Sequence, residues 1–349
     1  MTSLMSPMSS ERCPMSPDSL QDARVLITGG LGFIGSTLAI RLVELGAQVT
    51  IIDSMIPEYG GNLWNIESVR SKVRVNISDV RDDHAVKYLI QDQDVLFNLA
   101  GQTSHLDSME QPHADLEINA RAQLSILEAC RRYNPGIKIV FASTRQIYGK
   151  PAYLPVDEGH PLHPVDVNGI NKLAGEMYHL LYHQVYGIQT TVLRLTNTYG
   201  PRMRVVDARQ TFLGIWVRRL LESQPILIYG TGNQLRDFTY VNDVVDALVL
   251  VARSKEANGE IFNLGHDRPV SLRETAEQLI ALHGNGTYQL TPFPAERQMI
   301  DIGDYYGDFG KIHRSLGWIP TTSLREGLQR TLEFYERNAA HYWPAAIAV

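Results

Sequence analysis

The sequence predicts an α/β fold in which a parallel sheet is covered by helices on both faces. Apolar runs with strand character alternate with helix-length segments between residues 24 and 195. A glycine-rich segment, residues 28–35, separates the first run from the first helical segment, and the second run ends in Asp53. Such alternation is typical of parallel strands joined by helical crossovers, and these sheets bind ligands at the carboxyl ends of their strands.

The glycine-rich segment reads Thr28-Gly29-Gly30-Leu31-Gly32-Phe33-Ile34-Gly35. It follows the strand-like residues 24–27 and precedes residues 36–45, whose apolar positions have helical spacing. The glycines allow a tight turn and a close approach of the backbone to a pyrophosphate, which the helix N-terminus then faces. Asp53 follows at the end of the strand 47–53. An acid at this place binds the ribose hydroxyls of adenosine and favours NAD over NADP.

The remaining elements extend this pattern along the chain. Strands are predicted at residues 73–77, 95–101, 138–142 and 190–195, and helices at 114–132 and 172–186. After Gly200, prolines and glycines interrupt shorter elements, which indicates a smaller second domain. A helix at 241–253 and a strand at 260–264 are expected to return to the main sheet. The second domain would therefore be discontinuous.

Domain boundaries follow from the same pattern. Residues 1–21 are rich in Ser and Pro and lack a continuous apolar run, so they are expected to form a disordered tail. The other boundaries place a dinucleotide-binding domain at 22–200 with 236–264, the second domain at 201–235 and 265–335, and a C-terminal tail at 336–349.

The composition of the 349 residues is typical of a soluble enzyme. The net charge of -6 gives no basic surface for nucleic acid or an anionic membrane. Two cysteines, Cys13 and Cys130, form neither a disulfide framework nor a metal cluster, which favours a reducing cytoplasm and no metal site. The sequence has no apolar run as long as a membrane span.

Several further motifs share one family resemblance. They are Asn98-Leu99-Ala100-Gly101, Ala142-Ser143-Thr144 with Tyr148-Gly149, Asn171-Lys172-Leu173-Ala174-Gly175-Glu176, and the segments 194–202, 230–238, 308–311 and 316–318. Over about residues 23–335 the chain resembles the extended short-chain dehydrogenases/reductases, in the branch of nucleotide-sugar epimerases, dehydratases and decarboxylases. The resemblance implies a Rossmann-type doubly wound parallel sheet with a smaller discontinuous α/β substrate domain. It also implies bound NAD and a nucleotide-diphosphate sugar, with UDP the commonest nucleotide.

The resemblance also implies site residues and an oligomeric state. The expected NAD-binding residues are Gly29, Gly32, Phe33, Ile34, Gly35, Asp53, Asp79, Val80, Leu99, Ala100, Gln102, Asn119 and Lys172. The expected substrate-binding residues are Ser104, Thr144, Arg145, Asn197, Arg209, Arg236 and Arg297. Arginine suits a diphosphate because its planar fork makes paired, permanently charged hydrogen bonds. A homodimer is expected through the helices 114–132 and 172–186, with apolar surface from Leu116, Leu124, Leu127, Met177, Leu180 and Leu181.

The chain departs from the family at its catalytic base. The family uses a Ser or Thr, a Tyr, and a Lys four residues after the Tyr. Here Thr144 and Lys172 match, but Asn168 stands where the Tyr belongs. An amide cannot ionise and therefore cannot act as a general base.

Four readings of this departure remain open. His105, on the loop expected to face the sugar, could replace the base, since an imidazole has an unperturbed pKa of about 6.5. Tyr148 is interpreted as structural and Asp166 as a residue at a helix entry. Lys172 could act through a water held by Asn168 and Thr144. The site could have lost redox activity, or Asn168 could be a substitution that traps substrate.

The reaction type is inferred by comparison with the family branches. The dehydratases place an Asp-Glu pair directly after the Thr, where this chain has Arg145 and Gln146. The decarboxylases place a Glu nearby, which is also missing, although residues 197–203 resemble that branch. Epimerisation through a transient keto-sugar demands least beyond NAD and one base, so a UDP-sugar C4 epimerase is expected. The alternatives are a dehydratase or decarboxylase, or a protein that binds NAD and a nucleotide sugar without turnover.

Overall fold

A seven-stranded parallel sheet forms the centre of the computed structural model, which describes residues 20–343. The strand order is β11-β6-β5-β4-β1-β2-β3, and every neighbouring pair is parallel. The strands of this sheet are β1 Arg24–Thr28, β2 Gln48–Asp53, β3 Val73–Ile77, β4 Val95–Asn98, β5 Lys138–Thr144, β6 Gln189–Leu195 and β11 Ile261–Asn263. Three two-stranded sheets comprise β7 Asn197–Tyr199, β8 Ile226–Tyr229, β9 Leu235–Arg236, β10 Phe238–Tyr240, β12 Val270–Ser271 and β13 Tyr288–Thr291.

Helices connect these strands and cover the sheet. They are α1 Phe33–Glu44, α2 Asp83–Ile90, α3 His105–Glu110, α4 Pro112–Leu116, α5 Ala122–Tyr133, α6 Val167–Tyr186, α7 Phe212–Leu221, α8 Val241–Arg253, α9 Leu272–His283, α10 Ala295–Gln298, α11 Gly310–Leu316 and α12 Leu324–Asn338. A π-helical turn, Glu117–Arg121, joins α4 to α5. Short 3-10 helices are Pro57–Tyr59, Leu63–Lys72, Arg145–Tyr148 and Ala339–His341.

The sheet separates two apolar layers. On one face α1 and α8 bury side chains such as Leu38 and Leu248 against the sheet. On the other face α2, α5 and α6 pack together, with Ile126 and Tyr182 in the core. Near-continuous apolar strands are typical of a parallel sheet covered on both faces. The predicted fold class is confirmed.

A second core lies in the chain after β6. It combines α7, α9 and α12 with β8 and β13, and its buried side chains include Trp216, Leu279 and Tyr335. The segment 241–264 does return to the main sheet, because α8 packs on α1 and β11 pairs with β6. Residues 310–318 also pack on the main core, through Ile312 and Trp318.

Several element boundaries differ from the sequence-based expectations. The helix expected from residue 172 begins at Val167, because the side chain of Asp166 accepts the N–H of Gly169 and caps it there. The helix expected at 114–132 begins at Pro112 and contains the π turn. α12 continues to Asn338, and Trp343 is buried in the second core, within the stretch expected to be a tail.

The other expected tail, residues 1–21, lies outside the described residues except for Leu20 and Gln21, and Leu20 is buried. Within residues 20–343, no helix is both long enough and apolar enough to span a membrane.

Candidate functional site

One large cleft, about 860 Å³ in volume, lies at the carboxyl ends of the parallel strands. The residues after β1 to β6 line its floor, and residues of the second core line its opposite wall. This is where the open parallel sheet was expected to bind a ligand. All the expected site residues line this cleft except Gln102 and Asn119, which are buried behind its wall.

The glycine turn has the geometry that a dinucleotide needs. Gly29 has φ of +70°, and a Cβ there would lie 3.0 Å from the Cα of Ala100. A Cβ on Gly35 would clash with the carbonyl oxygen of Gly29. Side chains at these positions would therefore break the turn, and α1 begins directly after it with no side-chain cap. Its free N–H groups face the cleft, where they fit a pyrophosphate.

Asp53 connects the glycine turn to the end of β2. Its Oδ2 accepts the N–H of Leu31 and its Oδ1 accepts the N–H of Met55, each at 2.9 Å. Burial raises the pKa of Asp53, and the two backbone hydrogen bonds oppose that rise. The carboxylate lines the cleft and keeps free lone pairs, so it fits the ribose hydroxyls of a dinucleotide.

Lys172 lies deep in the cleft, beside the loop that follows β4. Its Nζ donates to the carbonyl of Ala142 at 3.2 Å. A Cβ on Gly101 would lie 2.8 Å from this Nζ and 2.9 Å from Asn119 Oδ1, so a side chain there would displace at least one of these groups. Burial lowers the pKa of Lys172 to about 8, while the charge of Asp115 opposes that shift. Thr144, at the end of β5, lines the same cleft.

The side-chain amide of Asn168 makes its hydrogen bonds with buried groups of the protein. Its Nδ2 donates to the carbonyl of Gln102 at 2.8 Å and to Asp115 Oδ2 at 3.0 Å. Asn171 donates to the other oxygen of Asp115, whose side chain is fully buried. The amide of Asn168 therefore ties the start of α6 to α4 and to the loop after β4.

His105 and Asp166 form a close pair at the edge of the cleft. His105 Nδ1 lies 2.9 Å from Asp166 Oδ2, although the angle is poor for a hydrogen bond. The His105 side chain is 36% exposed and that of Asp166 is 0% exposed. Burial raises the pKa of Asp166, but the contact with His105 and the hydrogen bonds from Gly169 and Gln146 outweigh it and leave the pKa lowered.

Three of the expected substrate residues, Arg145, Asn197 and Arg236, form a cluster in the cleft. Arg145 Nη2 donates to Asn197 Oδ1 at 3.1 Å, and its guanidinium lies over the ring of Tyr305. Arg236 donates to the carbonyls of Leu235 and Gly303. Burial and the neighbouring Arg145 lower the pKa of Arg236 to about 10. Two close guanidiniums in a cleft favour an anionic ligand.

The remaining expected residues lie around the same cleft. Arg209 pairs with Asp107 at 3.0 Å, and Arg297 lies over the ring of Tyr229. Ser104 caps α3, and its hydroxyl accepts the N–H of Asp107. Asp79 pairs with Arg81, which lowers the pKa of Asp79.

Sequence reasoning missed or undervalued several residues of this site. Asp115 and Gln146 had no motif to identify them, because their contacts join segments far apart in the chain. Aromatic side chains on the second-core side of the cleft were also missed, namely Tyr229, Phe293, Phe212 and Trp216. Tyr148 is fully buried, with its hydroxyl bonded to Asn263 and Arg194, which agrees with its structural interpretation.

The chain is similar in sequence to known proteins. The sequence profile of the NAD dependent epimerase/dehydratase family matches residues 25–265. A protein named putative UDP-glucose 4-epimerase from Methanocaldococcus jannaschii is 36% identical over 318 residues, which cover 90% of this chain and 99% of that protein.

Two solved structures are also similar. The UDP-glucose 4-epimerase of Thermotoga maritima, crystallised with UDP-glucose, has a TM-score of 0.82 at 30% identity and covers 90% of this chain and 99% of its own. The dTDP-glucose 4,6-dehydratase DesIV of Streptomyces venezuelae, crystallised with NAD, has a TM-score of 0.84 at 25% identity, over 92% of this chain and 99% of its own.

Proposed function

Because the chain belongs to the NAD-dependent epimerase/dehydratase family, we propose that it is an epimerase that inverts C4 of a UDP-hexose. The observation that carries the choice of reaction lies directly after Thr144. Arg145 donates to Asn197, and Gln146 donates to Asp166. A guanidinium stays protonated and an amide does not ionise, so neither side chain can serve as the acid or base of an elimination. Epimerisation needs no such pair.

The cofactor is NAD, and the residues present fit it. The glycine turn and the N-terminus of α1 would hold the pyrophosphate, and Asp53 the adenosine ribose. Lys172 would lie beside the nicotinamide ribose. When bound, NAD accepts a hydride from the sugar and returns it.

The rest of the chemistry is assigned to the chain's own groups. Thr144 would donate its hydroxyl to the reacting oxygen of the sugar. The positive charge of Lys172, buried close by, would stabilise negative charge that develops there. The cleft, at about 860 Å³, is near the upper end of the usual range for ligand pockets, about 300–1,000 Å³.

We assign the diphosphate of the substrate to the cluster of Arg145, Asn197 and Arg236. Arg236 and Arg145 lie close enough for one to lower the pKa of the other, so a bound dianion would relieve their repulsion. Arg297 and Arg209 extend the positive charge along the same cleft. We assign the nucleotide base to the aromatic region formed by Tyr229 and Phe293, whose rings lie 5.8 Å apart.

The domain and assembly assignments belong to the same proposal. Residues 22–200 with 236–264 would bind NAD, and 201–235 with 265–335 the nucleotide sugar. The chain would form a homodimer through the exposed face of α6, where Ile170, Met177, Leu181 and Val185 are 47–58% exposed. We place the enzyme in the cytoplasm, since Cys130 is a buried free thiol.

A product assay with a panel of nucleotide sugars tests the proposed function. Purified protein would be incubated with UDP, dTDP, CDP and GDP hexoses, and the products identified by NMR and mass spectrometry. We expect an inverted C4 centre at unchanged mass, with a UDP-hexose the fastest substrate. Loss of water would indicate a dehydratase, loss of CO₂ from a uronate a decarboxylase, and bound ligands without turnover a binding protein. Each of these results would contradict the proposal.

A further inference from the structure

We propose that His105 and Asp166 form the proton-transfer pair of this enzyme, with His105 as the catalytic base and Asp166 as its positioning residue. The inference rests on the proposed epimerase function and assigns the base that Asn168 cannot supply. It starts from the contact between His105 Nδ1 and Asp166 Oδ2, 2.9 Å apart at the edge of the cleft.

Asp166 is held rigidly in the position such a partner needs. One oxygen accepts the N–H of Gly169 at 2.7 Å and caps α6. The other oxygen accepts Gln146 Nε2 at 2.8 Å and faces His105. A fully buried carboxylate with these donors stays ionised and orients the imidazole, as an acid does in other imidazole–carboxylate pairs.

His105 presents its other nitrogen to the cleft. It is the first residue of α3, directly after the capping residue Ser104. Because Nδ1 faces Asp166, Nε2 lies on the far edge of the ring, and it has no hydrogen-bond partner within residues 20–343. With the proton held on Nδ1, Nε2 is an acceptor that a substrate hydroxyl can reach. The angle at Nδ1 is poor for a hydrogen bond. Catalytic hydrogen bonds are often poorly aligned before the substrate binds, and they tighten when it does.

The other groups considered as bases are engaged elsewhere. The amide of Asn168 is bound to Asp115 and Gln102. Lys172 Nζ donates to a backbone carbonyl, and Tyr148 is fully buried and does not line the cleft. His105 is the one histidine among the described cleft residues.

Two of the chain's departures from the family pattern belong to one network around this pair. Gln146, in place of an acid, donates to Asp166. Asn168, in place of the tyrosine, donates to the carbonyl of Gln102, three residues before His105. Gln102 in turn donates to the carbonyl of Ser104 at 2.9 Å. Gln146 therefore holds Asp166 directly, and Asn168 holds the loop that precedes His105.

The sugar O–H bond breaks and its proton passes to His105 Nε2. At the same time the C4–H bond breaks and its electron pair leaves as hydride for the NAD assigned to this cleft, so that a C4 carbonyl forms. In the return step the hydride re-forms the C–H bond on the opposite face. The proton then leaves Nε2 for the carbonyl oxygen, and His105 is neutral again.

Variants of both residues test the pair against matched controls. We expect His105→Ala to lower kcat about 10²–10⁴-fold, the usual contribution of a general base, with NAD affinity kept. Added imidazole should restore part of that activity. Asp166→Asn keeps a side chain that caps helices well, so α6 should persist while kcat falls on the order of 10-fold to 100-fold. The controls are His113→Ala, an exposed histidine on α4, and Asp82→Asn, the cap of α2, neither of which lines the cleft.

A second readout needs no substrate. Nitrogen-15 NMR of the imidazole should show neutral His105 with its proton on Nδ1. In Asp166→Asn the amide can donate to Nδ1, and the proton should move to Nε2.

The outcomes separate the two proposals. If the wild type converts no nucleotide sugar, the proposed function fails, while the NMR tautomer still reports on the pair. If the wild type is active and His105→Ala matches it, the pair is refuted. The pair would also be refuted if NMR placed the wild-type proton on Nε2. The same holds if His105→Ala lost both its activity and its NAD binding and imidazole did not restore the activity.

Discussion

Asn168 shows how one residue can change both the chemistry and the packing of a site. Its amide makes hydrogen bonds inside the protein to Asp115 and to the carbonyl of Gln102, and only 2% of the residue is exposed. A tyrosine there would have to displace these contacts.

We therefore expect Asn168→Tyr to give no gain in hydride transfer. The larger ring, and the loss of the Asn168 donor to Asp115 Oδ2, should lower the free energy of unfolding by about 2–4 kcal/mol. Asn168→Ala, which removes the amide without adding a phenol, is the control. Activity and thermal unfolding would be measured on all three proteins. A gain of about 10²-fold or more in the tyrosine variant alone would show that Asn168 marks a lost base, contrary to the proposed pair.

Asp53 gives a second prediction at the scale of a single side chain. Its carboxylate should repel the 2′-phosphate of NADP, so NAD should bind more tightly. Asp53→Ala should weaken NAD binding about 10–100-fold and narrow the difference between the cofactors, since hydrogen bonds to a charged group contribute about 1.5–3 kcal/mol. Asp53→Asn still accepts a backbone N–H, so its affinity for NAD should lie between those of the wild type and Asp53→Ala. Calorimetry that finds NADP the tighter ligand of the wild type would contradict the assignment.

At the scale of secondary-structure elements, the carboxylate of Glu128 joins helices α5 and α6. Glu128 on α5 accepts hydrogen bonds from Arg131 at 2.8 Å and from Tyr182 of α6 at 2.7 Å. These contacts, with Arg132, hold the pKa of Glu128 at about 2.

The sign of the pH effect follows from this lowered pKa. The folded state binds the Glu128 proton less readily than the unfolded chain, so the stabilisation is complete above about pH 4.5 and is lost as the pH falls towards about 2. Glu128→Gln should therefore be less stable than the wild type at pH 6, with the difference shrinking by pH 2.5. Thermal unfolding across this pH range would measure the difference in stability between the two proteins, with Glu44→Gln on α1 as control. A difference that is independent of pH would contradict the account.

The elements also show where sequence reasoning succeeded and where it stopped. The glycine turn, the acid after β2 and the apolar strands are local signals, and they predicted the sheet and its cleft. α9 and α12 were missed, although Ser271 with Glu274 and Ser323 with Glu326 have the spacing of a capping box. The His105–Asp166 contact joins residues 61 positions apart (166 − 105), and nothing in the local sequence specifies such a pair.

Over the molecule as a whole, a stripe of exposed apolar side chains runs along α6. Ile170, Met177, Leu181 and Val185 form this stripe, and Leu116 and Leu124 are also exposed. The sequence-based list for this surface was wrong for Leu127, which is fully buried in the core with Ile126. That position packs in the core that α2 and α5 share with the sheet.

We expect light scattering at micromolar concentration to give about twice the mass of the 39.2 kDa chain. Leu181→Asp, which places a charge in the stripe, should produce monomers with an unchanged fold. Ile319→Asp is the control, since Ile319 is 49% exposed but follows Trp318, which packs with α8 on the opposite face of the sheet. A wild type that scatters as a single chain would contradict the proposed dimer.

In the proposed reaction a hydride leaves C4 of a nucleotide sugar and returns to it within the same site. UDP-glucose labelled with deuterium at C4 would be incubated with the protein in ordinary water and followed by NMR. We expect UDP-galactose that retains the deuterium at C4, because the hydride never exchanges with solvent. A product that has lost the deuterium, or that has lost its C6 hydroxyl, would contradict it.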